Sequence, residues 1–404
     1  FGDLTAARVE YFTVADIART IPDFALLADA AVAATPRESI LDLDFATRLN
    51  ALVDEVLAAL PADDESRVRL LHSAALGRVY LDADSLGPIA AESQRLVQRS
   101  DEPHLLHWNL VTRYLASDAE DNAVRLAVSR DIHAHVMRHD LVGEMGGASR
   151  RFLVELLVRG ALEEFDAELA TMTQTARTTS IPDDRYWAAA FRATRSLMQD
   201  CGSATEELIK GAALIGRQQQ VGSGPGVQML QTFAVRYQQG RLHELATGFS
   251  APQPSSPQIR AGTSLLALAL SEIGATDDAR SVLDQVIDRG EITLPPDNFR
   301  PAAVALFAGV AARCGTAAQR KVLRTALEPR ADQFCVFGAG GAVFGTHHHW
   351  LARLAAADCD HDTALSHFRR ASELCREVGA TYWADVADAE HHEVMATAGG
   401  HTSR

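Results

Sequence analysis

The stretch Phe334–Trp350 reads FCVFGAGGAVFGTHHHW and offers two chemistries at once, a glycine-rich phosphate cradle and a histidine metal site. A dinucleotide fingerprint needs G-x-G-x-x-G between a strand and a helix, with an acidic residue about 20 positions further on. Here Gly338 and Gly340 are followed by Val343 where the third glycine belongs, and no such unit surrounds them. His347, His348 and His349 are consecutive. On a helix they project about 100° apart, so they cannot converge on one ion. Small residues here are expected to let a helix turn pack tightly.

A second candidate is SRDIHAHVMRHD (Ser129–Asp140), where Asp131, His135 and His139 recur every fourth residue and share one helical face. His-x3-His is a zinc-ligand spacing, and a metal-dependent enzyme or metal-binding helical protein is the alternative reading it supports. Val136 stands where a zincin carries its catalytic Glu, and no third ligand is evident, so a solvated polar helix face is the ordinary reading. A third set is basic. Arg192 and Arg195 share a face opposite Trp187, Phe191 and Met198, and Arg236 follows at a corresponding place in the next unit. No Ser-His-Asp or Cys-His arrangement emerges from spacing. The reading is of a protein that is not an enzyme, with no cofactor and no metal.

The elements that position these residues are helices. Of 404 residues 47% are hydrophobic and 23% charged, and the length exceeds one compact core. A net charge of −15, with two lysines (Lys210 and Lys321) among 38 basic residues, argues against direct nucleic-acid contact. Five widely spaced cysteines without a CxxC pair fit a reducing cytoplasm. No apolar run approaches the roughly 20 residues of a membrane span, and no signal-peptide pattern is present. The chain begins at Phe1 rather than Met, as expected of a fragment.

Arg151–Met172 and Ser264–Gly290 carry apolar residues at three- and four-residue steps, and convincing strand alternation is absent. PADDES, IPDDR, APQPSSP and LPPDNFRP supply prolines to stop helices and Asp, Ser or Asn to cap the next. Turn-forming residues recur at Gly160, Gly202, Gly240, Gly274, Gly315 and Cys359, with steps of 42, 38, 34, 41 and 44 residues, and earlier turns fall near Asp82 and Asp118. Ala364, Phe368 and Ala371 form A-x3-F-x2-A, the second-helix pattern of a tetratricopeptide (TPR) repeat. The expected fold is all-α: an α-solenoid of TPR-like antiparallel helix hairpins in a right-handed superhelix. Residues 1–60 are read as an N-terminal helical segment, a cap or a join to an upstream module. Residues 61–398 are read as the solenoid and 399–404 as a flexible tail.

DDESRVRLLHSAALGRVY (Asp63–Tyr80), DDRYWAAAFRATRSLM, YQQGRLHEL, SEIGATDDARSVLDQV, FGAGGAVFG and DTALSHFRRASELCREVGATYWADVA together resemble the helical C-terminal region of large bacterial LuxR-type and MalT-like ATPase transcriptional regulators and related multidomain adenylate cyclases. The family's ATPase signature G-x-x-x-x-G-K-[ST] is absent here, as is a basic recognition helix. The resemblance therefore implies a sensing and interaction arm for signal transduction, working with an ATPase module upstream in the same polypeptide. It implies a protein or peptide partner or a small acidic effector, with no membrane and with a homo-oligomer as one allowed arrangement. First helices of such repeats line a concave groove, which places Tyr186, Arg192, Arg195, Gln231, Arg236, Arg300 and His347 along one wall. Arginine forks and a flat tyrosine suit a carboxylate-bearing ligand.

Overall fold

The computed structural model describes residues 4–21, 23–35, 42–119, 121–179, 181–245 and 257–401. It is 77% helical, so the protein is all-α in class, and no described helix is long and apolar enough to cross a membrane. Two compact units divide it, Phe1–Phe152 and Leu153–Arg404, with the division inside a helix.

In the first unit α1 (Leu4–Thr20), α2 (Phe24–Ala33), α3 (Leu43–Ala59), α4 (Arg67–Arg78), α5 (Leu86–Val97), α6 (Pro103–Ala116) and α7 (Asn122–Arg138) each pack on the next, and α4 also packs on α6. Their apolar faces meet in a core that includes Leu49, Val53, Val68 and Leu71, all essentially without exposure. Asp side chains start the helices. Asp23, Asp42 and Asp121 each accept a backbone N–H of the first turn, satisfying donors that the helix itself leaves open. α8 (Met145–Arg159) carries the division between the units.

The second unit continues with α9 (Leu162–Thr179), α10 (Pro182–Gln199), α11 (Ser203–Gln218), α12 (Gly224–Gln238), α13 (Pro257–Glu272) and α14 (Thr276–Val286). After them come α15 (Arg300–Cys314), α16 (Ala317–Leu327), α17 (His347–Ala357), α18 (His361–Glu377) and α19 (Thr381–His401). Gly160, Gly202, Gly274, Gly315 and Cys359 each fall between two helices, and Gly240 follows α12 at a turn. Ala364, Phe368 and Ala371 on α18 are buried. Of the cap segments, Asp297 in LPPDNFRP accepts the N–H groups of Phe299 and Arg300 with Oδ1. Residues 251–256, most of APQPSSP, lie outside the described residues, as do 402–404 of the expected tail, whereas 399–401 continue α19.

Two short antiparallel hairpins interrupt the helices, although the sequence shows no convincing strand alternation. The first pairs β1 (Ile287–Asp288) with β2 (Glu291–Ile292), so the helical periodicity of Ser264–Gly290 stops at Val286. Arg289 and Gly290 both take positive φ there, as a tight two-residue turn requires. The second pairs β3 (Phe334–Phe337) with β4 (Ala342–Thr346), with a register shift between Phe334 and Val336. Every residue of both strands is buried. A strand covered on both faces reads as a continuous apolar run, not as an alternation.

The glycines of this stretch do serve close packing, but in a hairpin and not a helix turn. Gly340 lies at φ +82°, and a Cβ there would stand 2.7 Å from Phe191 Cε1. The hairpin is wedged among α10, α12, α15 and α18. Trp350, without solvent exposure, donates its indole N–H to Phe344 O at 2.9 Å and sits over Gly309. Polar ties then cross long stretches of sequence. Thr381 Oγ1 donates to Gln199 O, Tyr382 OH donates to Gln238 O, and Arg353 pairs with Glu390 and with Tyr237 OH.

Candidate functional site

The wall expected to bind an acidic ligand is built largely into the second unit's own packing. Tyr186 on α10 is 1% exposed and donates its hydroxyl to Gly224 O at 3.3 Å, its ring lying against Gly216. Gln231 on α12 is also 1% exposed; its amide donates to Ala190 O at 2.9 Å and to Thr194 Oγ1 at 3.2 Å. Thr194 in turn shares its proton between Gly340 O and Gly341 O. The glycine-rich hairpin therefore occupies the side of α10 and α12 where an effector was expected.

His347 is 1% exposed, and burial together with Arg330 pushes its imidazole down to about 3. Arg195 binds Asp166, with Nε to Oδ1 at 2.9 Å. Arg236 binds Glu206, Glu244 and Gln239. Hydrogen bonds from Gln239 and then Arg236 hold the Glu206 carboxyl down to about 2. Arg300 is half-buried at the first position of α15, its backbone N–H on Asp297. Arg192 alone of the set is exposed, and no described residue pairs with it. The structure brings Tyr186 and Gln231 to one α10–α12 seam, as packing, and does not gather the seven into an open site.

Asp131, His135 and His139 do not converge either. His135 is buried, and its Nε2–H donates to Pro103 O at 2.8 Å. α7 ends at Arg138, so His139 is already past the helix, its ring packed at a tilt against His135 with centroids 4.5 Å apart. Asp131 points to solvent. Among the described residues no group of three His, Cys, Asp or Glu side chains stands ready to hold a metal. All five cysteines are free thiols.

A polar cluster that the sequence reading passed over lies in the first unit. His72 on α4 and His107 on α6 sit on packed helices, and Glu144 approaches from the turn just before α8, its Oε2 3.4 Å from His107 Nε2. Burial first, then Arg151 and His107, push the His72 imidazole down to about 3, against the pull of Glu144. The Arg69 guanidinium completes the set from α4, resting 5.0 Å over the Trp108 ring of α6. His107 is 2% exposed. Its Nδ1 and that of His72 are both shut off from solvent, without a hydrogen-bond partner among the described residues.

Two imidazoles, two guanidiniums and one carboxylate can take a small polar guest that both donates and accepts. Buried nitrogens left unpaired cost free energy, roughly 1–3 kcal/mol each, and so call for an explanation. A signal for this site does exist in the chain. His72, His107 and Glu144 stand 35 and 37 residues apart, within the span of the repeat steps themselves.

Compared with known proteins, the chain matches no family model, and no curated protein matches it.

Proposed function

We propose that this chain is a non-catalytic sensing and interaction module. In this reading it is a TPR-like α-solenoid, a right-handed superhelix of antiparallel helix hairpins, whose effector site is the first unit's cluster of Arg69, His72, His107, Glu144 and Arg151. The observation that carries the proposal is the recurrence of polar side chains at repeat spacing on α4, α6 and the turn just before α8, with two buried imidazole nitrogens that no described residue satisfies. Six turn residues at helix junctions support the repeat reading. Arg69 and His72 fall inside Asp63–Tyr80, the first of the segments that resemble the helical region of LuxR-type and MalT-like regulators. In that setting the ligand is a small acidic effector or a carboxylate-bearing peptide. Binding shifts the state of an ATPase or output module only insofar as one arrangement of these helices holds the ligand more tightly than another.

The test is a thermal-shift and calorimetric screen of the whole chain against di- and tricarboxylates and an Asp/Glu-rich peptide. One of them should bind with a dissociation constant below about 1 mM, and Arg69→Gln or His107→Gln should weaken it at least tenfold with helicity unchanged, the loss expected for a charge-assisted hydrogen bond. Binding that survives both changes, or that is lost on Arg192→Ala, would place the site elsewhere. Absence of binding across the panel would remove the acidic-effector reading.

A further inference from the structure

His348 lies in the first turn of α17 and His367 midway along α18, and the two rings face each other across the seam between these helices. Their Nδ1 atoms are 2.7 Å apart, with ring centroids at 4.9 Å and planes inclined by 41°. On the far side of the His348 ring, Nε2 lies 3.3 Å from Asp332 Oδ1. That carboxylate is itself held by Arg370 Nε at 3.2 Å. Both imidazoles are half-buried and reachable from solvent.

The carboxylate decides the tautomer. It can only accept, so His348 carries its proton on Nε2, and its Nδ1 is a bare lone pair directed at His367. A neutral His367 then donates from Nδ1. Moving that one proton to the His367 Nε2 turns both Nδ1 atoms into lone pairs that face a common point, with no proton gained or lost overall.

We propose that His348 Nδ1 and His367 Nδ1 form a two-imidazole site for a late first-row divalent cation such as Ni²⁺ or Zn²⁺, with Asp332 as the carboxylate that orients His348 and water completing the coordination. At metal–nitrogen lengths of about 2.0–2.1 Å, two cis ligands of an octahedral ion stand roughly 3.0 Å apart and two tetrahedral ligands roughly 3.4 Å. The rings must therefore open by a few tenths of an ångström for the first geometry and more for the second. The site should accordingly prefer Ni²⁺ relative to a rigid tetrahedral pocket. The arrangement of carboxylate, histidine and open lone pair is the one by which ligating histidines are fixed in metal proteins. No third donor converges there among the described residues, so the affinity is that of two protein ligands. The site is distinct from the first unit's cluster and stands or falls without it. It also explains why the histidine tract alone was uninformative: His348 finds its partner not in the tract but 19 residues on.

The experiment is calorimetric titration of NiCl₂ and ZnCl₂ into the full chain without an added histidine tag. Expected is one site tighter than about 100 μM above the weak background of the remaining surface histidines, removed by His367→Gln and by His348→Gln. Asp332→Asn should weaken it about ten- to a hundredfold while leaving the stoichiometry intact, which a merely structural Asp332 would not do. Metal should also raise the Tm of the unchanged protein and not of the His367→Gln variant. If no such site titrates, or if it persists in both histidine variants, the proposal is wrong.

Discussion

Thr194 shows how much one buried hydroxyl can hold in place. It gives its proton to the Gly340 and Gly341 carbonyls, at 2.9 and 3.0 Å, and receives the Gln231 amide, linking two helices to a hairpin that lies 146 residues away in sequence. Thr194→Val keeps the shape and strands those partners in a dry interior. Chemical denaturation should show a loss of about 1–3 kcal/mol, the usual cost of orphaning buried polar groups. A different residue-scale effect belongs to His72, whose imidazole is pushed down to about 3.

Its ordinary value is near 6.5, so below that pH the unfolded chain takes up a proton that the folded chain refuses. Stability contributed by the neutral ring is fully present above pH 6.5 and is lost as pH falls toward 3. Arg151, His107 and Arg69 reinforce the sense of the shift, and Glu144 opposes it. Between pH 7 and pH 5 the loss should be on the order of 2 kcal/mol. Thermal melts of the protein and of His72→Gln, compared at the two pH values, should show the variant to be the less acid-sensitive. Equal sensitivity would mean that His72 is not the group responsible.

At the scale of elements, the glycines separate by what surrounds them. Gly274 lies at φ +87° in open space, and Gly340 lies at φ +82° with Phe191, Val154 and Leu157 against it. Gly274→Ala should therefore cost only the left-handed backbone penalty, about 1 kcal/mol. Gly340→Ala adds an overlap with an aromatic ring and should cost roughly 2–4 kcal/mol, measured as a shift in denaturation midpoint at constant slope.

The same contrast explains what could be read in advance. Helix turns announce themselves locally, because a residue such as Gly160, Gly274 or Cys359 in the left-handed region marks the break whatever packs around it. FCVF and AVFGT do not, since both faces of these strands are covered and the periodicity that identifies a strand vanishes. What fills the seam of α10 and α12 was illegible for a related reason. Helical spacing assigns Tyr186 and Gln231 to one side of their helices, but it cannot reveal that a hairpin more than a hundred residues downstream fills that side. Arg195 and Arg236 were legible as surface cations, while their partners Asp166 and Glu206 were visible only once neighbouring helices were placed.

For the second unit as a whole, α19 is the far end of several ties. Trp383 is buried, stacks on Tyr237, and presses on Gly345 of β4. Glu390 pairs with Arg353, and Thr381 reaches Gln199 across 182 residues. A chain ending at Ala380 should therefore lose more than a terminal helix. Hydrogen exchange should show α10, α12 and the β3–β4 hairpin losing protection together, whereas α5 and α6 of the first unit keep theirs. Protection lost only in α18 would show that the ties are incidental.

The hairpin wedged between α10 and α18 also bears on descent. A stack in which each helix pair touches only its neighbours can gain or shed a pair by recombination, because every junction resembles the next. Here a duplicated pair inserted between α12 and α15 would carry Gly340 and Gly341 away from Thr194, and Thr381 away from Gln199. Insertions and deletions in that interval should be selected against, so the number of helices between Thr194 and Gly340 should stay fixed among descendants of this chain while the lengths of surface turns drift.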